Sequence, residues 1–279
     1  MGGLYLGSTP VAIPGMGGSA TGLDAFEAVH GGTAQTAATV TAGDPANTKG
    51  AWTEMIASAP GDANLMLLYP WVGANGVDTS TLVDVGVGAV GAEVVKVPDL
   101  AVGGIIVQYP VVVPISVASG DRVALRIQGG IASRPSTWNA HLFSMPTALT
   151  SSDGTVDVLG TDTSTSRGTL VSSGMGWVEV AASTSRAYKN LVVVPSISHA
   201  TSNPQAGSYL CVGTGASGSE VESARVYPRY SNTESVASDQ TLPNPILTSV
   251  GPGCPAGSRI AVATSSAFST YACVIGVPA

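Results

Sequence analysis

The sequence predicts an all-β protein: two tandem, internally duplicated β-sandwich (jelly-roll-like) domains preceded by a short N-terminal arm. Three observations carry this expectation. Only 10% of the 279 residues are Asp, Glu, Lys or Arg, against about 25% in an ordinary soluble domain. Val, Thr, Ser, Ala and Gly supply most of the rest, with 35 Gly and 18 Pro; β-branched residues are stiff at χ1 and pack on a pleated surface, while Gly and Pro punctuate it. Finally, short strand-like runs dominate over helical periodicity, and blocks from the first half of the chain return in the same order in the second.

Residues 1–33 lie outside the repeated blocks. They open on a strand-like Leu4-Tyr5-Leu6 and run through Pro14-Gly15-Met16-Gly17-Gly18; they read either as an arm for docking onto a neighbour or as a first strand completing the module that follows. Residues 22–29 are the best candidate for a turn or two of helix. The first module spans 34–146, with strand-like runs at 53–57, 64–69, 81–87, 93–97, 105–113, 122–127 and 139–144. A linker follows at 147–160, marked by Ser151-Ser152-Asp153-Gly154. The second module spans 161–279, with runs at 178–182, 190–194, 208–212, 221–227, 259–264 and 270–277. About seven short strands between Gly, Pro, Ser and Asn describe a sandwich or jelly roll.

The repeat is legible residue by residue. Ala51-Trp52-Thr53-Glu54-Met55-Ile56-Ala57-Ser58 returns as Gly176-Trp177-Val178-Glu179-Val180-Ala181-Ala182-Ser183, an offset of 125 from Trp52 to Trp177. The strand from Leu65 to Pro70 matches Asn190 to Pro195 at the same offset. Val85-Gly86-Val87-Gly88 through Glu93 matches Val212-Gly213-Thr214-Gly215 through Glu220 at 127, and Gly120-Asp121-Arg122 matches Gly257-Ser258-Arg259 at 137. Ser136-Thr137-Trp138 aligns with Ser269-Thr270-Tyr271 at 133, which makes Trp138 and Tyr271 counterparts with core roles and sets His141 against Val274.

Several motifs invite a chemical reading. Gly86-x-Gly88-x-x-Gly91 and Gly213-x-Gly215-x-x-Gly218 match the dinucleotide fingerprint, but that fingerprint works between a strand and a helix whose N-terminus holds the pyrophosphate. Here strand-like Glu93-Val94-Val95-Lys96-Val97 follows, so the glycines are expected to serve a turn with positive φ or close backbone approach. Glu54 and Glu179 recur beside a tryptophan; paired carboxylates can do acid–base work, yet each belongs to its own module and is expected to secure a strand end. His30, His141 and His199 share no metal-ligand spacing. Asp153, Asp157 and Asp162 depart from the Ca²⁺-loop pattern and leave only a weak interface-bound Ca²⁺ open. Trp71, with Tyr69 and Tyr109, offers either a platform for a sugar ring or a subunit contact. No catalytic, cofactor-binding or metal residue is assigned.

Composition narrows the partners. A net charge of −7 with no basic run argues against nucleic acid. No stretch reaches about 18 uninterrupted apolar residues, so membrane insertion is not expected, and the start of the chain carries neither a secretory signal nor the residue at position 6 that myristoylation requires, which is Leu6 here. An apolar, charge-poor chain is expected to bury surface against copies of itself or other subunits. Cys211, Cys254 and Cys273 read as free thiols, with a Cys254–Cys273 bridge as the alternative.

The opening Leu4-Tyr5-Leu6-Gly7-Ser8-Thr9-Pro10-Val11 resembles the start of tail-region proteins of tailed bacteriophages. The block from Gly50 to Ser58, with Asp84-Val85-Gly86-Val87-Gly88 and the run from Ile115 to Arg122, is similar to a module of phage virion proteins. The resemblance implies a β-rich, oligomeric, non-enzymatic subunit of the virion, assembled in the host cytoplasm. A tail-associated protein (tail tip, fibre or receptor-binding region) forming a trimer or ring with other virion proteins is the leading expectation. A capsid decoration or head-fibre protein, or a carbohydrate-binding module for host surface glycans, are the alternatives.

Overall fold

The computed structural model describes residues 27–28, 38–71, 81–102, 111–144, 151, 153–172, 176–196, 209–226, 249–265 and 270–279. Within them the protein is all-β, every strand pair is antiparallel, and there is no helix. The first half contributes β1 (Glu27–Ala28), β2 (Ala38–Thr41), β3 (Thr53–Ile56), β4 (Ala63–Trp71), β5 (Thr81–Val87), β6 (Val94–Val102), β7 (Val111–Val117), β8 (Val123–Gly129) and β9 (Pro135–Ser144). One sheet has the order β3-β8-β5-β6; the other runs β1-β9-β4-β7, with β2 also on β9.

The second half contributes β10 (Asp157–Leu159), β11 (Thr161–Asp162), β12 (Arg167–Val171), β13 (Val178–Ala181), β14 (Tyr188–Ser196), β15 (Leu210–Thr214), β16 (Val221–Val226), β17 (Ser249–Cys254), β18 (Ile260–Thr264) and β19 (Thr270–Pro278). Its sheets are β13-β18-β15-β16 and β11-β12-β19-β14-β17, with β10 also on β19. Turn bonds recur in step with this order. Gly88 N–H donates to Arg122 C=O at 3.0 Å and Gly215 N–H to Arg259 C=O at 3.4 Å; Gly120 N–H donates to Ala59 C=O and Gly257 N–H to Thr184 C=O, at 2.7 and 2.8 Å.

Strand alternation builds the cores. On β9, Trp138, Ala140 and Leu142 are buried in one core with Met66 and Leu68 of the adjacent strand and with Val85, Leu125 and Ile127 of the other sheet, while Asn139 and His141 are half-buried on the other side. Each large aliphatic side chain so buried stabilises the fold by roughly 1.5–3 kcal/mol. The second half has its own core around Leu191, Val193, Val212, Val262 and Val274.

Two segments expected outside the modules hold strands. Residues 27–28, within 1–33 and within the 22–29 stretch that suggested a helical turn, form β1 on β9. Residues 157–159, within the stretch read as a linker, form β10 on β19. Edge strands also gave weak sequence signals: β17 contains Gly251-Pro252-Gly253, which reads as a turn. It stands at a sheet edge, where a missing N–H is tolerated, and Pro252 pairs with Asn190 as Pro114 of the edge strand β7 pairs with Leu65. Likewise β6 runs on to Val102 through Pro98 and Asp99; register shifts in its pairing with β5 and a φ of 47° at Asp99 absorb them.

One counterpart pair requires correction. Pro70 pairs with Trp138 and Pro195 with Ala272, and inward Val40 pairs with Ser136 as inward Val171 pairs with Thr270. The register therefore sets Trp138 against Ala272, and His141 against Ile275. Trp138 is fully buried in the core, whereas Tyr271 lies on the opposite face, half-buried beside Arg167. A shift of one residue moves a strand's side chains to the other face of its sheet, and the short Ser-Thr-aromatic match could not resolve it.

Candidate functional site

Three of the repeated sequence blocks converge in each half: those of Trp52, Gly86 and Arg122 in the first and of Trp177, Gly213 and Arg259 in the second. The Gly-x-Gly-x-x-Gly runs form the β5–β6 and β15–β16 hairpins, strand to strand, closed by Ala92 N–H to Ala89 C=O at 3.0 Å and Ser219 N–H to Ala216 C=O at 2.9 Å. Gly88 and Gly215 have φ of 128° and 131°, and Gly91 and Gly218 have 78° and 82°, a region that disfavours any side chain. Gly86 and Gly213 are held by Trp52 and Trp177, whose rings cover the space a Cβ would occupy. In both, a strand (β6 or β16) and not a helix follows the glycines, so no helix N-terminus stands there to receive a pyrophosphate.

Beside each hairpin an arginine joins two glutamates. Arg122, just before β8, donates from Nε to Glu54 Oε2 and from Nη1 to Glu93 Oε1, both at 2.8 Å. Arg259, just before β18, does the same to Glu179 at 2.8 Å and Glu220 at 2.5 Å. Glu54 and Glu179 side chains are each 48% exposed, against 3% for Glu93 and 2% for Glu220. The inner carboxylates are covered by their own turn and arginine at the surface, not sunk deep in the protein. That covering opposes their ionisation, but turn N–H groups and the guanidinium outweigh it and hold both below the usual glutamate range. A general acid needs a carboxyl that keeps its proton near neutrality; these are held ionised. The arrangement braces three strands in each half.

No protein-family model, curated protein or solved structure matches the chain.

The halves differ on the outer face of the β5 and β15 sheets. Asp84, 3% exposed, accepts from Lys49 Nζ at 2.7 Å, Arg126 Nε at 2.8 Å and Asp99 N–H at 2.8 Å. Burial works against its ionisation, yet these donors hold its carboxyl below the usual aspartate range. Lys49 Nζ also stands 2.7 Å from Asp99 Oδ1, an ion pair without the alignment of a hydrogen bond. Arg126 lies over Trp52, 4.6 Å from the ring centroid. Cys211 pairs with Ala263 where Asp84 pairs with Arg126; burial pushes its thiol up to about 11.

The remaining candidates are dispersed. Asp153 and Asp157 meet on Arg186, at 2.6 and 2.8 Å, and Tyr188 Oη donates to Asp157 at 2.7 Å. Asp162 instead accepts from Ser164 and Thr165 within its own turn, so the three acids do not converge. His141 meets Tyr69 edge-on, ring centroids 5.4 Å apart. Cys211, Cys254 and Cys273 are free, buried thiols. His30, His199 and Tyr109, and the side chain of Trp71, lie outside the described residues.

Glu54 and Glu179 were legible as partners of a strand end, but Arg122, Arg259, Glu93 and Glu220 went unremarked as site residues. Their signal was present: all four stand inside repeated blocks. The Lys49–Asp84–Arg126 cluster, drawn from one half alone, left no such mark.

Proposed function

We propose that the chain is a non-enzymatic structural component of a tailed-phage virion, tail-associated and oligomeric, built from two tandem jelly rolls that arose by internal duplication. The strand order carries this reading. The orders β2-β9-β4-β7 with β3-β8-β5-β6, and β12-β19-β14-β17 with β13-β18-β15-β16, are those expected of two eight-stranded jelly rolls, an architecture common in viral capsid and lectin domains. The recurrent turn bonds and arginine braces support the duplication, and the 10% charge content suits a subunit that buries surface in an assembly.

Light scattering on the native protein over a range of concentrations tests it. A stable trimer or larger closed ring is expected; a 27.7 kDa monomer at every concentration overturns the assembly.

A second reading, binding of a host glycan, has one observation in its favour. Asn139 pairs with Tyr69 beside the Tyr69–His141 contact, and its buried Oδ1 finds no hydrogen-bond partner. Once a side-chain shift uncovers it, an acceptor beside aromatic rings suits a sugar hydroxyl. A glycan array that stays silent, or adsorption unchanged by Trp71→Ala, removes it in favour of a tail or head-fibre structural role.

A further inference from the structure

We infer that the two halves are one cooperative folding unit joined by a buried seam, and do not move as separate modules on a tether. The seam is the outer face of the β19–β14 sheet. On these strands Leu191, Val193, Ala272 and Val274 belong to the second half's own core. The alternate residues Val192, Val194, Cys273, Ile275 and Val277 belong instead to the first half's core, continuous with Val97, Leu100, Ala101 and Val102 of β6. An antiparallel sheet with one face in solvent alternates apolar and polar residues; this one is apolar and buried on both faces. The second half therefore lacks a solvent-facing surface there and has the first half in its place.

Directed bonds fix the register of the seam. Cys273 Sγ donates to Ala101 C=O at 3.7 Å. Val156 N–H donates to Lys96 C=O at 3.0 Å, tying the lead-in of β10 to β6. Gln128 at the end of β8 donates from Nε2 to Thr163 C=O at 2.7 Å and to Ser166 Oγ at 3.2 Å, and Ser166 Oγ donates to Asn47 Oδ1 at 2.7 Å. Gln128 is 3% exposed and Ser166 fully buried, so opening the seam strands polar groups as well as exposing valines, which is costly.

The inference is independent of the virion reading, and the full-length protein tests it. Thiol labelling at increasing urea, located by mass spectrometry, follows Cys273 at the seam against Cys211 and Cys254 within the second half. Tryptophan fluorescence of Trp177→Phe follows the first half through Trp52, Trp71 and Trp138. One shared transition is expected, with Cys273 protected until it begins. Labelling of Cys273 ahead of the other two thiols, or separate midpoints for the two halves, overturns the inference. Should Trp177→Phe fail to fold, the labelling order in the unaltered protein still decides.

Discussion

The ring of Trp52 occupies the side-chain space of Gly86: a Cβ built there would lie 2.7 Å from Cη2 and 2.9 Å from Cζ3, and Trp177 stands over Gly213 at 2.7 and 2.8 Å. The tryptophan and the glycine belong to different repeated blocks with different offsets, yet each appears wherever the other does. Sterics links them.

Gly86→Ala should cost about 1–3 kcal/mol, as overpacking does. Gly91→Ala, with open space around it but a φ of 78°, should cost about 1–2 kcal/mol through backbone strain alone. In a Trp52→Ala background the Gly86 penalty should shrink and the Gly91 penalty persist. Urea denaturation of the five variants closes both cycles; an undiminished Gly86 penalty would refute the steric link.

Arg122→Ala should destabilise the protein more than Glu54→Ala. Removing the arginine leaves Glu93, 3% exposed, without its counter-charge, whereas Glu54 is 48% exposed and its loss leaves Arg122 still paired. Arg122→Lys should rescue little, because one ammonium cannot reproduce a fork that holds two carboxylates. Denaturation midpoints would show the order.

Acid should destabilise the protein only below the ordinary carboxylate range. Asp84, Glu93, Asp153, Asp162 and Glu220 have folded-state pKa values below the ordinary 3.8 and 4.5. Their contribution is thus complete above those values and is lost as pH falls through the depressed ones. At the other end, burial raises the Cys273 thiol from 9.0 to about 12; its contribution is present below pH 9 and fades as pH climbs towards 12. Midpoint against pH should be flat from about 5 to 8. A loss of stability inside that window would contradict these assignments.

Trp138→Ala should cost about 3–5 kcal/mol, the range for a large buried aromatic, since Trp138 is fully buried with Nε1–H donating to Ser136 Oγ at 2.6 Å. Tyr271→Phe, losing one half-exposed hydrogen bond from Arg167 at 2.9 Å, should cost only about 0.5–1.5 kcal/mol. A Tyr271→Ala variant costing as much as Trp138→Ala would restore them as counterparts.

The sequence alone determined the all-β class, because Val- and Thr-rich runs separated by Gly and Pro have no amphipathic helix to form. It also marked the hairpin glycines, since φ near 80° or 130° leaves little alternative, and the Trp-x-Glu strand ends, since a brace repeated in both halves leaves its residues in both. Tertiary structure alone decided what lacks local expression. The Pro-bearing edge strands β7 and β17 are tolerated because one flank of an edge strand needs no partner. The one-residue register that separates Trp138 from Tyr271 depends on which face the neighbouring strand buries. Most of all, Val192, Val194, Cys273, Ile275 and Val277 read as an ordinary buried strand face, and only the folded chain shows that the first half covers them. Periodicity reports that a residue is buried; what it is buried against is a property of distant segments brought together.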